Sequence, residues 1–292
     1  MKKHLLQGGV GVSDFLNRLS DKFDTFTHSQ KRTANYLTDH MTDFAFSTLE
    51  SLSEKIDVST TTIIRFARVL GYCGFSEMQK DIQAELKHKE SLPGRLEGMP
   101  TISDNRLLRE SFENDIKNIQ RTLENLDDDA LRKAIEMISN AEHIYILGMR
   151  SSFSVSHYMA SQLGEIKKNV HLVQSIGMIY PEEIVGAGEK DVCVAYLFPR
   201  YSKVAANIIS WLQSHQVKII LITSMNYASV SSYGDIILPC AISSVSYKNS
   251  FTAPMCLTNY MIAALAKSNY EEAKEVLSRT ESILNQGYYL GV

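Results

Sequence analysis

Between residues 143 and 240 the chain repeats one pattern, a short uninterrupted apolar run followed by a segment with helical spacing. Ile144-Tyr145-Ile146-Leu147 ends in Gly148, and a helical stretch over 152–166 follows with Val155, Met159 and Leu163 on one side. His171-Leu172-Val173 is a second run, 192–197 a third, 217–223 a fourth and 236–238 a fifth. A strand that is apolar on both faces must be covered on both faces, so the alternation predicts a five-stranded parallel sheet with helices on either side. Ligands of such sheets bind outside the carboxyl ends of the strands.

Two of those strand ends carry chemistry. Gly148-Met149-Arg150-Ser151-Ser152 follows the first run, and Phe198-Pro199-Arg200-Tyr201-Ser202 follows the third. Each places a guanidinium and a hydroxyl at a turn that feeds a helix N-terminus. Free N–H groups, the favourable helix dipole and a charge-assisted clamp together hold an anion. The candidate effector-binding residues are therefore Gly148, Arg150, Ser151, Ser152, Arg200, Tyr201 and Ser202. The serines would serve equally as helix caps, and the arginines as surface ion pairs. The two loops support one another only if their strands are neighbours.

Residues 48–75 have a different organisation. Leu49, Leu52 and Ile56 share one face of a short helix, Asp57-Val58-Ser59 makes a turn, and a second helix runs from Thr60 to Leu70. Ser59 is a good N-cap, and Gly71 suits the left-handed position that ends a helix. At about 100° per residue, Ile63, Phe66, Ala67 and Leu70 lie on one side of the second helix. Thr61, Arg65 and Arg68 lie on the other, with Thr62 at the edge. Arginine can pair with a guanine edge and threonine can reach a base, a thymine methyl or a phosphate, so this face suits a major groove. The candidate DNA-binding residues are Ser59, Thr60, Thr61, Thr62, Arg65 and Arg68. An amphipathic surface helix with a solvated charged face would show the same pattern.

The remaining segments complete two domains. Helical patterns at 12–20, 29–41 and 76–86 join the pair above to make an all-helical head of five short helices. Residues 88–105, with Pro93-Gly94 and Gly98-Met99-Pro100 and no periodicity, have a linker composition. The domains are thus 1–87, a linker over 88–105, and 106–292. Leu108, Phe112, Ile116, Ile119, Leu123 and Leu126 then mark an amphipathic helix of about 20 residues. It can pack on its own domain or form a dimer seam, and packing within the chain is the expectation. Asp127-Asp128-Asp129 opens the next helix.

Composition narrows the partners. The 292 residues are 44% hydrophobic and 22% charged, ordinary for a globular chain with a real core. Net charge is −3, and residues 1–88 hold 11 Lys/Arg against 11 Asp/Glu, so any positive field on the head must be local. Cys73, Cys193, Cys240 and Cys256 show no metal-type spacing; three of them sit in apolar surroundings and are expected as buried thiols, which suits a reducing cytoplasm. No metal or cofactor is implied. The N-terminus is too weakly apolar for a signal peptide, and the uncharged run 249–266 reads as a buried helix rather than a membrane span.

The combination resembles the RpiR family of bacterial transcription regulators over nearly the whole chain. The likeness rests on Leu49, Leu52-Ser53, Ile56, Val58-Ser59, Thr62-Ile63-Ile64-Arg65-Phe66, Leu70-Gly71-Tyr72 and Gly74-Phe75. In the second domain Ile146, Gly148, Ser151 and the runs at 192–197 and 217–223 are similar to a SIS (sugar isomerase) domain. The resemblance implies an all-α helix-turn-helix head plus an α/β SIS-like domain, in a dimeric or tetrameric regulator that grips a double-stranded DNA operator. It also implies an effector, a sugar phosphate or related acid, in the SIS pocket. The loops depart from the SIS pattern. The first usually has a second glycine where Arg150 stands, and the second is usually rich in Ser and Gly where this chain has Phe198-Pro199-Arg200-Tyr201-Ser202. Thr223-Ser224 replaces the usual Thr-Asp. Guanidinium recognition of an anion by Arg150 and Arg200 is the expected substitute for a backbone phosphate nest. A sugar-phosphate isomerase would need a base, for which Glu182, Glu183 and His157 are candidates, although the glutamates also suit the start of a short helix and His157 a polar helix position. No catalytic residue is assigned. A non-DNA-binding adaptor is the other alternative.

Overall fold

The computed structural model describes residues 14–100, 102–174 and 180–285. It divides into two compact units between Leu107 and Leu108, with Val245–Lys248 grouped with the first.

The first unit is helical: α1 (Asp14–Lys22), α2 (His28–Asp39), α3 (Met41–Phe46), α4 (Leu49–Ile56), α5 (Thr60–Val69), α6 (Phe75–Glu90) and α7 (Leu92–Glu97). Leu37, Phe44, Leu52, Ile63, Phe66, Leu70, Met78 and Ile82 close one core. Thr27 and Gln30 form a capping box at the start of α2. Helix α3 was not among the five expected; with six residues it is too short to display a period, yet it buries Phe44 and Ala45. The stretch 88–105 is also more ordered than a linker composition implies. It holds the end of α6 and all of α7, whose first turn accommodates Pro93 and is capped by Ser91. Proline is tolerated there because that N–H has no helical partner to lose.

Helix α8 (Asp104–Asn125) starts just before the boundary between Leu107 and Leu108 and continues into the second unit, which then runs α9 (Asp128–Asn140), β1 (Ile144–Gly148), α10 (Phe153–Gly164), β2 (Val170–Val173), α11 (Tyr180–Ile184), β3 (Val192–Tyr196), α12 (Lys203–Ser214), β4 (Lys218–Ser224), β5 (Ile236–Cys240), α13 (Thr252–Ser268) and α14 (Tyr270–Leu284). The five strands are parallel in the order β2-β1-β3-β4-β5. Ile144, Ile146, Val194, Tyr196, Ile220 and Ile222 pack with residues of α9, α10 and α13. The alternate residues Tyr145, Leu147, Cys193, Ala195, Ile219 and Leu221 pack with α12 and Ile184 of α11. Both faces are covered, which is why the strands read as unbroken apolar runs.

Two expectations fail here. The apolar stripe of α8, expected to pack within the chain, is exposed at Leu108, Phe112, Ile116 and Leu123, while Asn118 and Thr122 are buried. And two cysteines are buried rather than three, Cys193 and Cys240; Cys256 lies on an exposed side of α13 despite its apolar neighbours in sequence. Among the described residues no helix is long and apolar enough to cross a membrane; α13 instead buries Ala253, Pro254, Leu257, Thr258, Met261 and Leu265.

Candidate nucleic-acid interface and candidate effector site

The turn between α4 and α5 is closed by backbone geometry. Asp57 takes a left-handed conformation at φ 54°. Its N–H donates to Glu54 O and that of Val58 donates to Ser53 O, the Schellman arrangement that satisfies the last carbonyls of a helix. Arg32 of α2 donates to Ile56 O at 2.6 Å and to the Asp57 carboxylate at 3.1 Å, fixing the turn to its neighbour. Ser59 then caps α5, accepting from the Thr62 N–H at 3.2 Å, and the Ser59 and Thr62 hydroxyls lie 2.9 Å apart. At the far end Gly71, at φ 97°, completes a second Schellman closure through Gly71 N–H to Arg68 O and Tyr72 N–H to Ala67 O.

Helix α5 therefore has a fixed orientation. Ile63, Phe66 and Ala67 are buried, and the Phe66 ring meets that of Phe26 at 5.2 Å. Thr61, Arg65 and Arg68 are exposed on the opposite side, and Thr60 and Thr62 are half-buried. Arg68 donates to Cys73 O at 3.4 Å. The Arg65 side chain makes no hydrogen bond or ion pair among the described residues. Of the six candidates, Thr61, Arg65 and Arg68 form one outward face, whereas Ser59 and Thr62 are engaged in capping. Elsewhere in this unit Asp43 joins α3 to α4. Its carboxylate takes Lys55 at 2.6 Å and the Tyr36 hydroxyl at 2.6 Å, and Lys55 first, then Tyr36, holds its pKa down to about 2.

In the second unit β1 and β3 are neighbours, with Gly148 opposite Tyr196. From β1 the chain crosses to β2 on one side, and from β3 to β4 on the other. The carboxyl ends of β1 and β3 thus form the topological switch point, where a crevice opens in sheets of this order. The two arginine loops lie on these two strands, the condition they needed to support one another. Arg150 and Arg200 are both exposed, and neither side chain makes a hydrogen bond or ion pair among the described residues.

The loops differ in detail. Arg150 stands at φ 58°, a left-handed conformation that glycine adopts more easily, and opens the tight turn Arg150–Ser152 ahead of α10. Gly148 has a packing reason: a Cβ there would come 2.7 Å from Ser152 O and 2.6 Å from Ser156 Oγ. Ser152 is buried, and Ser151 is exposed with its carbonyl accepting from Ser154 Oγ. Ser202 caps α12, accepting from the Ala205 N–H at 3.3 Å, so the capping role holds for this serine. The Tyr201 hydroxyl donates to Asn226 O at 3.5 Å.

Two residues outside the candidate set belong to this end of the sheet. Asn249, before α13, donates its side-chain N–H to Pro199 O. Ser224, the last residue of β4, is buried, and its hydroxyl has no hydrogen-bond partner among the described residues. Its position in Thr223-Ser224 was visible in sequence, but an orphaned hydroxyl is visible only in three dimensions. Of the possible bases, Glu183 spends a carboxylate oxygen on the Gln174 N–H at 2.8 Å, while Glu182 and His157 are exposed.

A helical unit carrying a helix-turn-helix, joined to a doubly covered parallel sheet, defines the class. The helix-turn-helix domain of the rpiR family matches residues 13–89, and the SIS domain matches residues 137–266. The chain thus carries an rpiR-family helix-turn-helix domain followed by a SIS domain, and relatives that it matches are named HTH-type transcriptional regulators. It is 23% identical over 227 residues to an uncharacterized HTH-type transcriptional regulator of Thermotoga maritima, spanning 77% of this chain and 80% of that one. Two solved structures share the fold. The sugar isomerase domain of an RpiR transcription factor from Sphaerobacter thermophilus has a TM-score of 0.58 at 21% identity, covering 61% of this chain and 99% of that one. The Vibrio vulnificus NanR protein, complexed with ManNAc-6P, has a TM-score of 0.60 at 18% identity, covering 95% and 100%.

Proposed function

We propose that this regulator reads double-stranded DNA with the outward face of α5 and is controlled by a small anionic metabolite held at the β1–β3 switch point. The carrying observation is the exposed row Thr61, Arg65 and Arg68 on a helix that begins just after a tight turn, with the Arg65 side chain free of protein partners among the described residues. Arg65 is assigned to a base edge, Arg68 and the threonines from Thr60 to Thr62 to bases or phosphates, and Ser59 to the start of the helix. Arg150 and Arg200 clamp the anion, with Ser151, Ser152 and the adjacent backbone N–H groups completing the shell and Tyr201 at its edge. The buried Ser224 hydroxyl adds a donor at the floor. The complex of the Vibrio protein with ManNAc-6P supports a phosphorylated sugar as one candidate, and the guanidiniums admit other acids.

The chain acts as a homo-oligomer in the cytoplasm and carries no catalytic step. Two heads would meet half-sites about 34–36 Å apart, or a multiple of that distance. A titration of labelled DNA from the upstream intergenic region tests the first half of the reading. Arg65→Ala should weaken binding by about 1–3 kcal/mol, roughly 5- to 150-fold, and the affinity should fall steeply with salt. Binding that ignores both Arg65→Ala and Arg68→Ala would refute the placement of the reading face. Calorimetry with acidic and neutral sugars tests the second half: equal affinities for both would remove the anion clamp. The zero net charge of residues 1–88 favours a second reading, a SIS-like adaptor whose head binds no DNA, and the same titration separates the two.

A further inference from the structure

A helix that lies on its own domain buries its apolar side and shows its polar one. Helix α8 does the reverse. Asn118 and Thr122 are buried, while Leu108, Phe112, Ile116 and Leu123 are 72%, 66%, 52% and 74% exposed. The polar side is fully engaged with the chain between β5 and α13. Asn114 and Asn118 both donate to Ser243 O, Thr122 accepts from the Ala241 N–H, and Asp115 accepts from the hydroxyls of Ser250 and Thr252. The helix cannot roll its apolar side inward without breaking all of these.

The exposed stripe has the form of an interface. Phe112, Ile116, the half-buried Ile119 and Leu123 follow one another at intervals of four, three and four, the spacing of a two-stranded seam, while Leu126 beyond the helix packs against the core of the sheet. From Phe112 to Leu123 the intervals are the same read in either direction, so the stripe matches a two-fold copy of itself. With about 200 Å² for a whole side chain of this size, the four exposed fractions leave on the order of 500 Å² open. That approaches the upper end of the largest patch on an ordinary monomer, roughly 600 Å². It is also well over half of the roughly 800 Å² each partner gives to a standard interface. Exposed Arg109, Glu113 and Gln120 flank the stripe and provide a polar rim with aliphatic stems.

We infer that this stripe is covered by the same stripe of a second copy of the chain. The inference rests on the homo-oligomer part of the proposed function and names its surface. It places the seam on the helix that directly follows the head in sequence, where it would fix the spacing of two heads.

Sedimentation velocity of the full chain over a range of concentrations tests it. The wild-type chain should sediment as an assembly of at least two copies. Ile116→Asp combined with Leu123→Asp should drop the mass to half or less, with unchanged circular dichroism because both positions are exposed. Phe112→Ala combined with Leu123→Ala, which adds no charge and decides the matter should the first variant unfold, should raise the dissociation constant roughly tenfold or more. A wild-type chain that stays monomeric, its stripe covered by its own residues or by another protein, overturns the inference. So does an assembly whose mass and affinity both survive the alanine pair. A wild-type dimer that binds no DNA would instead refute the DNA-reading proposal and leave the seam intact.

Discussion

Arg150→Gly separates two things that one arginine does. Its backbone sits at φ 58°, where a residue with a Cβ pays about 1–2 kcal/mol. Glycine removes that strain and loses about 0.5–1 kcal/mol through its freer unfolded chain. The Arg150 side chain is exposed and makes no hydrogen bond or ion pair among the described residues, so its removal forfeits no contact that would offset the gain. The net expectation is a stabilisation of about 0.5–1 kcal/mol, a rise in melting temperature of roughly 1–4 °C for a unit of this size. Ligand binding should move the other way. A hydrogen bond to a charged group contributes about 1.5–3 kcal/mol, so affinity for the acidic metabolite should fall roughly 10- to 150-fold. Differential scanning fluorimetry of the ligand-free chain reads the first effect and calorimetry with the best acidic ligand reads the second. Arg150→Ala is the control, because it removes the guanidinium and keeps the strain: it should lose affinity without gaining stability. A drop in melting temperature of several degrees in Arg150→Gly would refute the strain, and an unchanged affinity would refute the clamp.

Gly148→Ala should destabilise the second unit by about 1–3 kcal/mol in urea unfolding, because the new methyl meets the Ser152 carbonyl and α10 must move off β1. Adding Ser156→Gly should recover only part of the loss, since the carbonyl contact stays; a neutral Gly148→Ala would contradict the close approach. In the native chain a thiol reagent should label Cys73 and Cys256 quickly, and Cys193 and Cys240 only after unfolding, as burial pushes both buried thiols up, Cys240 to about 12. Four fast thiols, or labelled Cys193, would be inconsistent with this core. Lys55 and Tyr36 hold the Asp43 carboxyl below its ordinary value, so its contribution is complete above that value and disappears as pH falls from 3.8 towards about 2. Asp43→Asn should flatten that part of the acid dependence of the head's melting, and identical acid profiles would show that the network stabilises nothing.

Patterns that depend on near neighbours in the chain were legible before any coordinates. A strand covered on both faces has to be apolar throughout, so the five runs announced both the strands and the helices that cover them. The sides of α5 follow from its period alone, and Arg65 and Arg68 point outward as that period requires. Ser59 and Gly71 sit at helix ends for reasons local to one turn. Elements with weak local signatures were missed or misread. Helix α3 is only six residues long, and the Pro93-Gly94 pair that looks like linker is the first turn of α7.

What folding alone decided is which segments meet. The periodicity of α8 shows an apolar stripe but not the side that faces the domain, and that side was chosen by the partners of Asn118 and Thr122 near β5. Strand order is likewise a matter of pairing between distant residues, and it is the adjacency of β1 and β3 that puts both arginine loops at one switch point. The left-handed Arg150 and the orphaned Ser224 hydroxyl belong to the same kind. Sequence spacing fixes which faces a helix or strand has, because side-chain direction repeats with a known period. It does not fix what lies opposite them, because that depends on closures across tens of residues.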